Sequence, residues 1–186
     1  MHGTARPPEL ALPVASLAAL RRSLAASVGA DDAARALQAA GVAAGDALYQ
    51  MLTLVPGSSS TPPAQPAEWS EAVFWRRFAE LFEKRGWGHL NWQLMHPGIG
   101  ALDAPDWVEA DPAVSAQRPS CFFSAGLLAN LLGRVSGEDV AVLEVDCRSR
   151  GDDRCRFLFG SPVVLDAVYG HLRAGSGVAG AIAALG

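Results

Sequence analysis

The chain has 186 residues, half of them hydrophobic, which is enough for a single domain with a sizeable core. Its formal net charge of −4 does not provide the clustered basic surface that nucleic acids or anionic membranes require. No run of roughly 18 apolar residues predicts a membrane span and no secretory signal is evident, so we expect a cytoplasmic protein.

The first third of the chain is rich in Ala and Leu and predicts two helices. Leucines recur at helical spacing over residues 17–24, and an aspartate can cap a second helix over 31–54. Gly41 and Gly45 are expected to break or bend that second helix. We place a flexible N-terminus at 1–12 and the helical part of the domain at 13–55.

A loop, an amphipathic helix and a hairpin are predicted next. Residues 56–67 are rich in Pro, Ser and Gly, which is typical of a loop. Apolar residues at helical spacing then predict a helix over 68–85. Residues 89–95 alternate between apolar and polar side chains, as in a half-buried strand, and its hairpin partner is expected between 100 and 110.

The C-terminal part predicts a helix, a second hairpin and a last helix. Ser120 is expected to cap a helix that begins at Cys121 and ends near Gly133. Two strand-forming runs at 140–147 and 155–159 flank a turn-rich segment, and a helix is expected over 163–172. The zinc-binding core would span 68–174, within a single domain at 13–174. A Gly/Ala-rich tail, flexible or briefly helical, follows at 175–186.

Strand alternation allows a prediction of the register of the second hairpin. Cys147 and Cys155 share a face if they lie opposite each other. The same register pairs Asp146 with Arg156, Val145 with Phe157 and Leu143 with Phe159.

All three cysteines of the chain, together with a carboxylate, lie within residues 121–155. Three thiolates and one carboxylate oxygen form a four-coordinate set that zinc accepts, and such a closed shell would stabilise the fold rather than catalyse. On an ideal strand Glu144 points away from Cys147, so only a bulge or strong twist would bring its carboxylate to the thiolates. Spacing alone leaves four other residues as possible fourth ligands: Asp146, Asp152, Asp153 and His171.

Three short segments resemble the 4-vinyl reductase domain family: CFFSAG at 121–126, EVDC at 144–147 and GDDRCRF at 151–157. The fold of that family is shared with the TRAPP transport-particle subunits. The resemblance implies an α/β (α+β) fold, with an antiparallel sheet packed against helices and frequent dimerisation through N-terminal helices. It also implies that Cys121, Glu144, Cys147 and Cys155 bind a structural zinc ion, which selects Glu144 as the fourth ligand.

The family also implies a function, because its members sense or bind small hydrophobic molecules, including the phenolic effectors of bacterial regulators. Half of the chain's aromatic residues lie between 69 and 92, and such a concentration could line an apolar pocket. The candidates for ligand contact are Phe74, Trp75, Phe78, Trp92 and His89. Each of them also has a simpler interpretation as a core or solvated side chain.

We therefore expect a zinc-stabilised domain that binds or senses a hydrophobic or aromatic ligand and acts through a homodimer or a partner protein. No ATPase region, DNA-binding region or catalytic constellation is evident, so an enzyme is not expected. One alternative is an enzyme accessory or carrier in tetrapyrrole metabolism, because one branch of the family is tied to bacteriochlorophyll synthesis. Another is a scaffold subunit like those of TRAPP.

Overall fold

The computed structural model describes residues 7–54 and 65–186, which form helices packed on both faces of a sheet. The described helices are α1 Val14–Val28, α2 Ala30–Thr53, α3 Glu71–Glu83, α4 Phe122–Ser136, α5 Pro162–Arg173 and α6 Val178–Ala183. The described strands are β1 Asn91–His96, β2 Ile99–Ala104, β3 Ala141–Asp146 and β4 Cys155–Gly160. The predicted α+β class with an antiparallel sheet is confirmed.

The four strands pair in the order β1-β2-β4-β3, and every pair is antiparallel. Alternation along the strands gives the sheet two apolar faces. Leu102 and Phe157 point to one face, where they pack with apolar side chains of α2, α3 and α4. Ala101 and Leu158 point to the other, where they pack with α5 and α6. The sheet is therefore the middle layer of three.

Close packing of α2 on α4 depends on glycine. A Cβ atom on Gly41 would overlap the carbonyl oxygen of Phe123, and one on Gly126 would overlap the carbonyl oxygen of Gln38. A Cβ on Gly45 would lie 2.5 Å from the side-chain oxygen of Asn130. Helix α2 runs through both of its glycines without interruption. The expected break is therefore wrong, because these glycines let two helices approach each other closely.

The ends of α4 also differ from the prediction. Cys121, not Ser120, is the N-cap residue, and the helix continues past Gly133 to Ser136. Gly137 follows in the left-handed conformation with φ 75°, and its amide donates to the carbonyl of Gly133. This left-handed position, which suits glycine best, ends the helix.

The predicted N-terminus at 1–12 and loop at 56–67 lie partly outside the described residues. The predicted tail contains α6, whose Ala181 and Ile182 are buried against the sheet. Among the helices that the structure describes, none is long and apolar enough to cross a membrane.

Candidate metal centre

Four buried side chains from three elements converge at one end of the sheet. Cys121 is the N-cap of α4, Glu144 lies on β3, Cys147 directly follows β3, and Cys155 begins β4. We call these four residues the Cys3Glu cluster; their ligand atoms all lie within 4.8 Å of one another.

The sulfur atoms of the Cys3Glu cluster are spaced as a shared metal ion would require. Cys121 Sγ lies 3.9 Å from Cys147 Sγ and 4.0 Å from Cys155 Sγ. A tetrahedral ion with Zn–S bonds of about 2.3 Å would separate two sulfurs by about 3.8 Å, whereas a disulfide would bring them to about 2 Å. The three cysteines are free thiols. The spacing fits thiolates around one ion.

A β-bulge brings Glu144 into the cluster. Asp146 lies opposite Arg156, as predicted, but the register shifts between Glu144 and Asp146. Glu144 therefore lies opposite Phe157, and the two apolar pairings predicted for the rest of this hairpin are wrong. The extra residue, Val145, changes which face the preceding side chains occupy. This irregularity supplies the turn of the strand that an ideal geometry would have denied to the carboxylate.

The Glu144 carboxylate has one satisfied and one unsatisfied oxygen. Its Oε2 accepts a hydrogen bond of 2.8 Å from the amide of Cys121. Its Oε1 is buried and has no hydrogen-bond partner among the described residues. A buried carboxylate oxygen without a partner is costly, and a cation coordinated by it would remove that cost. The donor set and this oxygen both fit a zinc ion.

Acidic groups so close together oppose one another's ionisation. Burial, and then the neighbouring Cys147 thiolate, raise the pKa of Glu144 to about 8. Burial, and then the hydrogen bond to Cys147, raise the pKa of Cys121 well above its usual value. Hydrogen bonds from Cys121 and Cys155 lower the pKa of Cys147. A divalent cation would offset this repulsion, because it favours the ionised form of every ligand.

The other acidic side chains near the cluster have different partners. Asp152 accepts from the Cys147 amide at 2.7 Å and from Arg150, which shapes the turn between β3 and β4. Asp146 pairs with Arg150 and Arg154. Of the possible fourth ligands left open by spacing, neither of these aspartates is in the cluster; Glu144 is.

The cluster lies inside a segment that matches a known domain family. Residues 106–161 match the model of the vinyl-4-reductase domain. The match contains all four residues of the Cys3Glu cluster. It confirms the resemblance to the 4-vinyl reductase family that the three short motifs indicated.

Comparisons with individual proteins extend beyond this segment. The uncharacterized protein MJ0745 of Methanocaldococcus jannaschii is 29% identical over 85 residues, which are 44% of this chain and 45% of that protein, so the match spans about half the length of that relative. The phenol-responsive sensory domain of the transcription activator PoxR, solved with phenol, superposes with a TM-score of 0.65 at 18% identity, over 82% of this chain and 76% of that one. A vinyl-4-reductase family protein from Methanocaldococcus jannaschii gives a TM-score of 0.50 at 18% identity, over 84% of both chains. At such identities the two superpositions show a shared fold.

A buried polar group that the sequence did not indicate supports the start of α4. The Glu109 carboxylate accepts from the amides of Phe123 and Ser124, at 3.1 and 2.7 Å, and from the Ser124 hydroxyl. Trp107, fully buried, donates its indole N–H to the same hydroxyl at 2.7 Å. Glu109 thus satisfies the first amides of α4 from outside the helix. Burial raises its pKa despite these contacts.

The predicted ligand residues lie mainly between α3 and the sheet. Trp75 and Trp92 stack with ring centres 4.8 Å apart, and Phe159 packs on Trp75 at 5.7 Å. We call Trp75, Trp92 and Phe159, all half-buried, the aromatic surface. Phe74 and Phe78 pack beneath Trp75 and are buried. These residues line neither of two cavities elsewhere in the described structure, of about 250 Å³ between α1 and α2 and about 410 Å³ beside β3, α5 and α6.

His89 lies apart from the aromatic surface and forms an exposed ion pair. Its Nδ1 lies 2.6 Å from Asp106, its backbone amide donates to the same carboxylate at 2.8 Å, and Glu83 is 3.7 Å away. The hydrogen bond to Asp106, and then the charge of that carboxylate, raise the pKa of His89 above 6.5.

This pair predicts a pH dependence. A raised pKa means that the folded state holds the proton more tightly, so the contribution to stability is complete below the unfolded pKa. That contribution is lost as pH rises through the folded pKa. We expect Asp106→Asn to return the NMR-titrated pKa of His89 toward 6.5 and to remove this dependence, whereas Glu83→Gln should shift it much less. An unchanged His89 pKa in Asp106→Asn would contradict the assignment.

Proposed function

We propose that this chain is a zinc-stabilised domain that binds or senses a small hydrophobic, aromatic molecule. The observation that carries the proposal is the aromatic surface, where two stacked tryptophans remain half-buried beside the sheet. Flat aromatic side chains with open faces suit a flat aromatic ligand. The fold shared with a sensory domain solved with phenol supports the same ligand class.

Zinc would be held by Cys121, Glu144, Cys147 and Cys155. Bound there, the ion supplies structural cross-linking, because four protein ligands leave no position for water or substrate. The cluster joins the start of α4 to the β3–β4 hairpin. We therefore propose a role without catalysis, in which the ion keeps the helices and the sheet that flank the aromatic surface in place.

Phenol is the probe that tests the ligand. A ligand that binds only the folded state raises its melting temperature, by an amount that grows with concentration. We expect phenol to raise the melting temperature of the zinc-loaded chain, and cyclohexanol, of similar size but without an aromatic face, to raise it less. Equal shifts with both compounds would contradict recognition by the aromatic surface.

The variant Trp92→Ala is expected to weaken phenol binding about tenfold or more, or about 1.4 kcal/mol, because it removes one stacking partner. Trp87→Ala is the matched control, since Trp87 is another half-buried tryptophan, stacked on Phe123 at 5.7 Å, away from Trp75. Both variants should lose about 1–3 kcal/mol of stability, while only Trp92→Ala should lose affinity in calorimetric titrations. Equal affinities in the two variants would return Trp92 to the core.

The output of such a domain requires a second surface. Helix α1 and the residues before it expose large apolar side chains, among them Leu10, Leu12 and Leu20 at 82%, 60% and 56% of their surface. We propose that this end of the molecule contacts a second copy or a partner protein, because exposed apolar patches of this kind commonly mark protein interfaces. Light scattering at two protein concentrations tests for the homodimer.

A further inference from the structure

Arg21 connects helix α1 to the segment that leads into the metal centre. Every residue of α1 remains at least partly exposed, yet the Arg21 side chain is only 15% exposed. Its guanidinium donates to the carbonyl of Glu109 and, at 2.7 Å, to the carbonyl of Ser120. Ser120 directly precedes the ligand Cys121. A side chain of the outermost helix is thus fixed one residue from the Cys3Glu cluster.

The Ser120 hydroxyl continues this connection to a ligand sulfur. Arg21 donates to Ser120 Oγ at 3.1 Å, and Ser120 Oγ lies 3.9 Å from Cys147 Sγ. A guanidinium has only donors, so the hydroxyl oxygen must accept from it. The single hydroxyl hydrogen is then left for the sulfur. Arg21, Ser120 and Cys147 form a relay that ends in a hydrogen bond to a thiolate.

Charge favours the same arrangement. Three thiolates and one carboxylate exceed the charge of a divalent ion by two, so the occupied centre would be anionic and largely removed from water. Arg21 provides a shielded positive charge beside it. Glu109 lies 3.9 Å from Arg21 Nε, but its own charge is shared with the first amides of α4. The guanidinium therefore retains a role in offsetting the charge of the centre.

We infer that Arg21 is a positioning residue for the metal centre, acting through Ser120, and that metal occupancy and the docking of α1 stabilise each other. The inference rests on the proposed zinc site. Coupling between two events is reciprocal. If docked α1 slows zinc release, bound zinc must hold α1 in place, which would carry the state of the centre to the exposed apolar end of the molecule.

The test measures zinc release from the loaded full chain into a chromogenic chelator. Groups that orient metal ligands typically change metal affinity by about 10–100-fold when removed. We expect Arg21→Gln and Ser120→Ala each to release zinc about 10–100 times faster than the wild type. The double variant should release it no faster than the faster single one, since the two residues act in series. Arg22→Gln is the matched control, because Arg22 is 63% exposed and lies 3.8 Å from Asp111.

Hydrogen exchange of the α1 amides provides an independent measurement. Zinc removal should speed this exchange in the wild type, whereas Arg21→Gln should exchange fast with or without zinc. Wild-type release rates in both Arg21→Gln and Ser120→Ala would overturn the inference, as would α1 exchange that ignores zinc. If Arg21→Gln fails to fold, Ser120→Ala decides, because it leaves the Arg21–Glu109 contact in place. A wild-type chain without zinc would overturn the proposed function as well; normal zinc with unaltered variants would overturn the inference alone.

Discussion

Cys147→Ser is expected to abolish stable zinc binding and to lower the melting temperature to that of the metal-stripped wild type. Cys147 Sγ accepts from the thiols of two other ligands, and a serine hydroxyl does not ionise to replace it. Structural zinc sites contribute about 10–16 kcal/mol of apparent binding free energy, and much of this is folding free energy. Loss of one ligand of four should therefore cost several kcal/mol of stability.

Elemental analysis and thermal unfolding check this expectation together. Freshly purified, reduced wild type should contain about one zinc ion per chain, and a strong chelator should lower its melting temperature. The same chelator should have no effect on Cys147→Ser. Glu144→Gln is the graded comparison, because its amide oxygen still accepts from the Cys121 amide while one ligand charge is lost. Cys147→Ser with normal zinc content and melting temperature would rule out the Cys3Glu cluster as a structural metal site.

Local patterns in the sequence predicted much of the fold. Helical spacing located α3, strand alternation located β1, and the turn-rich segment between two apolar runs predicted the β3–β4 hairpin. These features are local, because each depends on side chains only a few residues apart. The pairing of Asp146 with Arg156 followed from the same reasoning.

The features that complete the site are not local. Alternation assumes an unbroken ladder, so it cannot locate a bulge, and the bulge at Val145 decides the direction of Glu144. The resemblance to a family supplied that ligand instead. Arg21 lies 88 residues before Glu109 in the chain, and neither residue forms a pattern with its neighbours. Contacts of this kind depend on the tertiary fold.

Gly41 shows how a local rule gives the wrong role for a residue. Glycine destabilises a helix interior by about 1 kcal/mol relative to alanine, which favours a break. Packing outweighs this cost, because α2 meets α4 closely enough that a side chain on Gly41 would overlap its backbone. The sequence contains the glycine but not the identity of the helix that it faces.

Gly41→Ala is therefore expected to destabilise the protein by about 3 kcal/mol despite its better helix propensity. The new Cβ would overlap the carbonyl oxygen of Phe123 and lie 2.8 Å from the amide nitrogen of Leu127. These are backbone atoms, which cannot rotate away as the end of a side chain can, so the helices must separate. Because α4 begins at Cys121, separation should also displace that ligand from Cys147 and Cys155 and speed zinc release.

Gly170→Ala is the control that isolates the contact from the propensity. Gly170 is exposed inside α5, and a Cβ atom there would meet no atom within 4 Å beyond the adjoining backbone of its own helix. Alanine at this position should be neutral or stabilise the protein by about 0.5–1 kcal/mol. Urea unfolding of both variants gives the two free energies, and opposite signs would show that steric overlap at the α2–α4 crossing dominates. A Gly41→Ala variant as stable as Gly170→Ala would mean that the helices can separate at little cost, and the zinc site could then not depend on their contact.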